Sequence, residues 1–171
     1  ADILTSDEQN VILPNLRAGC SMADMATLSE VEVAWEEILK ASGLSDPINR
    51  PDPDQAVSEN EAYLVPVTYM NSSADLKDFV GRHGGVVCTS SNAEGVLNWA
   101  FERAGPKGAV LFFPDQHLGR NTGLAMGISA DRMPTWTPGI GAMGELKGAR
   151  IVLWHGFCSV HKRFTPQQIH D

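Results

Sequence analysis

Short apolar runs alternate along this chain with segments in which apolar residues return every three or four positions. The runs are "VIL" at 11–13, "YLVPVTY" at 63–69, "GVVCTS" at 85–90, "AVLFF" at 109–113 and "RIVLW" at 150–154. Their brevity and their β-branched and aromatic content predict strands, and apolar residues at successive positions predict strands covered on both faces. Between them, "TLSEVEVAWEEILKASG" at 27–43 puts Val31, Ala34, Trp35 and Ile38 on one helical face, opens on a capping box of Thr27 and Glu30, and stops at Gly43. "NAEGVLNWAFERAG" at 92–105 does much the same. The alternation predicts an α/β fold, a three-layer α/β/α arrangement with a parallel sheet between helices, whose ligands bind beyond the carboxyl ends of the strands.

Two segments interrupt the pattern. "SDPINRPDPDQAVSENEA" at 45–62 is rich in proline and carboxylates with almost nothing to bury, and reads as a solvated surface excursion. "GISADRMPTWTPGIGAMGELKG" at 127–148 combines glycine and proline with Trp136 and other large apolar residues, and reads as a loop that packs in order. Residues 1–19 read as the end of a preceding domain or an incoming strand, and 20–171 as one α/β domain. At the end of the chain, Thr165, Pro166 and Gln168 announce a helix that only three residues follow. A helix that short does not stand alone, so a longer parent chain is expected.

Composition narrows the function. The 171 residues are 43% apolar and 20% charged, enough to bury one substantial core. The net charge of −8 repels nucleic-acid phosphate and anionic lipid, and no Lys/Arg cluster offsets it, so neither nucleic acid nor a membrane surface is an expected partner. The start "ADILTSDEQ" has no signal-peptide pattern, and a cytoplasmic setting is expected. Cys20, Cys88 and Cys158, an odd and scattered set, then remain thiols.

Candidate chemistry gathers in the loops after the strands: "PNLRAGCSMAD", Asn71 with "SSAD", "SNAEG", "PDQHLGRN" and "HGFCSVHKRF". Ser72, Ser73, Ser91 and Asn92 are good helix caps, and four of them converging on one edge also suit an anion. Cys88, inside an apolar run, reads as a buried thiol. Cys20 and Cys158 lie in glycine-containing polar loops where a thiolate could be stabilised, and Cys158 could be a ligand, a nucleophile or a packing residue. With His161 it makes half of a Cys-x-x-His zinc pattern, which is weak without a second pair. His117 and His155 read as surface loop residues. Gly81 to Gly85, "GRHGG", precedes a strand and opens no helix, so it reads as a turn and not as a phosphate loop.

The strings "AGCSMAD", "VPVTYMNSSADLKDFVGRHGGVVCTSSNAEGVLNWAFE", "LFFPDQHLGRNT" and "VLWHGFCSVHKRF" resemble the quinolinate synthase family in four separated blocks, in the family's order, over nearly all of the chain. The resemblance implies three similar α/β/α domains about a pseudo-threefold axis, each giving one cysteine to a 4Fe-4S cluster. Cys20 and Cys158 match two of those ligands. The third motif, the amino-terminal part with its His and Tyr, and the later His-Pro-Glu segment are not in this sequence. The implied reaction condenses iminoaspartate with dihydroxyacetone phosphate to quinolinate for NAD biosynthesis, with a cluster iron as Lewis acid, and implies a functional link to an L-aspartate oxidase or aspartate dehydrogenase. The family's Tyr-x-Asn motif falls on Tyr69 and Asn71. Strand alternation would point both the same way, Tyr69 as the proton-handling or orienting hydroxyl and Asn71 as a donor to carboxylate. Ser90 is a further implied substrate contact. A competing reading is a non-catalytic metal- or nucleotide-binding α/β module, with Cys158 and His161 on zinc.

Overall fold

The computed structural model describes residues 26–50 and 55–157. The strand expected at 11–13 and the helix announced at Thr165 lie outside them. Helix α1 (Leu28–Ser42) begins where the capping box forms, with the Thr27 side chain accepting from the Glu30 N–H and the Glu30 carboxylate accepting from the Thr27 N–H. It ends at Gly43, whose φ of 74° is a left-handed conformation that costs glycine little. Then follow β1 (Leu64–Tyr69), α2 (Ala74–Arg82), β2 (Val86–Cys88), α3 (Ala93–Ala104), β3 (Ala109–Phe113), α4 (Gln116–Ala125), β4 (Thr135–Thr137), β5 (Gly141–Met143) and β6 (Ile151–Trp154).

The strands form one sheet in the order β2-β1-β3-β6-β4-β5. All pairings are parallel except β4 with β5. Consecutive strand residues feed opposite layers, as the two-residue strand period requires. Leu64, Leu111, Phe113, Val152 and Trp154 join Trp35 and Ile38 of α1 and Leu76 and Phe79 of α2 in one core. Val65, Val67, Val110, Phe112, Ile151 and Leu153 join Leu97 and Ala100 of α3 in the other, with Leu118 of α4 packed against it. The three layers expected from the apolar runs are therefore present in this chain. Pro66 interrupts the middle of β1 without breaking it. Its carbonyl lies against Gly85, just before β2 begins, so the missing N–H falls on the side where no ladder bond was to be made.

The two interrupting segments do more than their composition suggests. Within 127–148, residues 135–137 and 141–143 form a hairpin that extends the sheet. Trp136 is buried, its ring centroid 5.1 Å from that of Trp154, and its Nε1–H donates to Glu37 Oε2 of α1 at 3.2 Å. A three-residue strand carrying one tryptophan gives no alternating pattern long enough to read from sequence, so the hairpin was legible only as an ordered loop. Within 45–62, Asp46 accepts from Trp35 Nε1 at 2.9 Å and from the Ile48 N–H at 2.9 Å, and lies 2.7 Å from His83 Nδ1. The excursion is pinned to both helices of one layer by this single carboxylate.

Candidate active site at the carboxyl edge of the sheet

Parallel strands deliver their carboxyl ends to one edge, and the helices that follow begin there. In β1 and β2, Tyr69 is paired in register with Cys88, and the Met70 N–H donates to the Cys88 carbonyl at 2.8 Å. This pairing makes the loop carrying Asn71 a neighbour of the loop carrying Ser90. Tyr69 is half-buried, packed against the core on the α3 side. Asn71 does not continue the strand alternation expected of it: β1 stops at Tyr69, and a turn closed by the Ser72 N–H on the Tyr69 carbonyl, 3.0 Å, carries Asn71. Its direction is set by the turn.

The capping residues separate into different roles. Ser73 caps α2, accepting from the Leu76 N–H at 3.4 Å. Ser72, beside it, is buried and its hydroxyl has no partner; Thr68, fully buried at the end of β1, is in the same condition. Asn92 stands at the cap position of α3 but makes no side-chain bond to that helix. Its Oδ1 accepts instead from the Thr89 N–H at 2.7 Å and from Thr89 Oγ1 at 3.1 Å, while Ser91 Oγ lies 3.0 Å from Thr89 Oγ1. Ser90, between them, is exposed.

Asp115, which the sequence reading passed over, is buried and caps α4, accepting from the N–H groups of His117 at 2.8 Å and Leu118 at 3.3 Å. An aspartate directly after an apolar run and a proline was the available signal. Past β6, Gly156 is buried and tied to the neighbouring loop, its carbonyl accepting from the Gln116 N–H at 3.0 Å. A Cβ on Gly156 would run into the Pro114 carbonyl, so only glycine allows the β3 and β6 ends to approach this closely. His117 and His155 are exposed.

Cys88 is the described thiol. It is fully buried, and burial pushes its pKa up to about 12, which keeps the thiol protonated at neutral pH. Among the described residues no three His, Cys, Asp or Glu side chains are gathered as a metal would need. Cys20, Cys158 and His161 lie outside the described residues. An apolar cleft of about 360 Å³ opens between β2 and α3, lined by Val86, Asn92, Gly95, Val96 and Trp99. The larger clefts, near Arg50, Arg103 and Arg150, lie farther along α3 and away from this edge. No helix among the described residues is long and apolar enough to cross a membrane.

The family model described as "Quinolinate synthetase A protein" matches residues 1–171. A quinolinate synthase of Corynebacterium glutamicum is 58% identical over 99% of this chain and 39% of its own length. One of a Nocardioides species is 51% identical over all of this chain and 41% of its own length. One of Streptomyces coelicolor is 49% identical over all of it and 40% of its own length. No solved structure matches. The chain thus spans about two fifths of these relatives. Matched along its whole length by the family model and by relatives of this identity, the chain belongs to the quinolinate synthase family.

Proposed function

We propose that this chain is the part of a quinolinate synthase that carries two of its cluster cysteines and part of its substrate pocket. The observation that carries the reading is the match over the entire chain to relatives named quinolinate synthase, at up to 58% identity. The reaction joins iminoaspartate to dihydroxyacetone phosphate and releases water and phosphate, with no net oxidation. Its imine would come from an oxidase or dehydrogenase acting on aspartate. The wider architecture would be the family's three domains about a pseudo-threefold axis, in the cytoplasm, with the described sheet and helices as one of the three.

Tyr69 would hold or pass a proton at its phenolic oxygen, Asn71 would donate its amide to a substrate carboxylate, and Ser90 would be a further substrate contact through its hydroxyl. The pairing of β1 with β2 supports this, because it makes their two loops neighbours. Cys20 and Cys158 would hold a 4Fe-4S cluster together with a third thiolate from outside this chain. Two observations support that assignment: Cys88 is shut inside the core on the α3 side, and Cys158 follows in sequence two residues after Gly156, whose carbonyl accepts from the Gln116 N–H at the carboxyl edge. When bound, the cluster would supply a Lewis-acidic iron to substrate oxygen or nitrogen.

Purification of the full-length protein without oxygen tests the reading. The expected result is a brown protein with iron and sulfide that forms quinolinate from the two substrates. A colourless zinc protein with no quinolinate would overturn it in favour of a non-catalytic module.

A further inference from the structure

We infer that Asn92 is a positioning residue for the Ser90 hydroxyl, holding the loop at 89–92 where the sequence would have it cap a helix. The inference rests on the reading above, in which Ser90 touches substrate. An asparagine at a helix N-cap ordinarily turns its oxygen onto the first-turn N–H groups. Asn92 turns the other way. Its Oδ1 takes the Thr89 N–H at 2.7 Å and the Thr89 hydroxyl at 3.1 Å. The Thr89 proton is thereby committed to Asn92, so the 3.0 Å contact with Ser91 must be a bond that Ser91 donates.

The loop thus closes a chain of bonds from Ser91 through Thr89 to Asn92. Three of its four side chains are linked to one another. Ser90 is not part of that chain and has no partner among the described residues. The arrangement gives up the side-chain cap of α3 and gains a fixed loop on an exposed edge, where water would otherwise compete for every hydroxyl. A loop ordered before binding loses less freedom when its hydroxyl is engaged, and small displacements of a contacting group are costly to turnover. Asn92 acts through Ser90 and is not itself the contact.

The test compares Ser90→Ala, Asn92→Leu and the double variant in the full-length enzyme, by kcat/KM toward dihydroxyacetone phosphate and by melting temperature. Each single change is expected to lower kcat/KM about tenfold, largely through KM, and the double variant should be no worse than either, because the leucine acts only through the hydroxyl that the alanine removes. Losses that multiply to about a hundredfold, or an Asn92→Leu enzyme that melts earlier with kcat/KM intact, overturn the positioning role. Should Asn92→Leu not fold, Thr89→Val keeps the backbone bond and removes the hydroxyl link, and an unchanged kcat/KM there overturns it as well. If Ser90→Ala is itself silent, the placement of Ser90 at substrate falls, and the inference falls with it.

Discussion

At the residue scale, identical atoms behave differently because of what surrounds them. The Cys88 thiol is raised from 9.0 to about 12 because burial disfavours its thiolate. A pKa raised in the folded state means that folding binds the proton more tightly, so the contribution to stability is whole below about pH 9 and is lost as pH climbs toward about 12. Cys88→Ala should therefore cost on the order of 1 kcal/mol at neutral pH and flatten the alkaline loss of stability, read by denaturant unfolding between pH 7 and pH 11. An unchanged alkaline slope would mean that Cys88 is not the group responsible. Thr68 poses the opposite case. Its hydroxyl is fully buried with no partner, and such a group forfeits its bond to water for nothing. Thr68→Val keeps the shape and removes the orphan, and should be neutral or stabilise by up to about 1 kcal/mol in the same measurement. A clear loss of stability would show that the hydroxyl is bonded in solution.

At the element scale, α4 illustrates a contest between propensity and packing. Gly119 and Gly123, four apart and both buried, put a bare backbone face of α4 against the sheet. By propensity alone Gly119→Ala should stabilise the helix by about 1 kcal/mol. The new methyl would stand 2.7 Å from Leu153 Cδ2 and from the Phe112 ring, both core groups with little room to retreat. Overpacking typically costs about 1 to 3 kcal/mol, so the expected net effect is destabilising, and a raised melting temperature would show that the layers are looser than they look. The helix starts obey the same lesson. Ser73 and Asp115 cap as their positions suggest, whereas Asn92 spends its oxygen on the loop before the helix.

At the scale of the whole molecule, the three cysteines should separate in one assay. In the full-length protein, Cys20→Ala or Cys158→Ala is expected to abolish the visible absorbance of a reconstituted cluster, because each lost thiolate leaves an iron open to solvent. Cys88→Ala should keep the colour. His161→Ala should keep it too, since a histidine in that loop would at most orient it. Full iron and sulfide content in a Cys158→Ala protein would remove Cys158 from the ligand set, and loss of the cluster on His161→Ala would move the site toward the Cys-x-x-His reading.

The sequence by itself determined the layering and the place to look for chemistry. Continuous apolar runs such as "AVLFF" are affordable only in strands covered on both sides, and the periods around Trp35 and Leu97 supplied the covering helices. That parallel strands gather their following loops on one edge is a consequence of topology, so the loops carrying Asn71 and Ser90 could be assigned to one edge from their positions after strands, whereas their being neighbours was decided by the pairing of β1 with β2. What only the tertiary structure decided are the features that depend on distant partners. Trp136 became a strand because Trp154 and Glu37 were there to receive it. Asp46 became an anchor because Trp35 and His83 converge on it. Asn71 left the strand pattern because a turn closes at Tyr69, and Asn92 faced backward because the Thr89 N–H and hydroxyl both stood within reach. A local pattern fixes which groups a segment offers, but a hydrogen bond is made by whichever partner the folded chain brings close, and that choice is made in three dimensions.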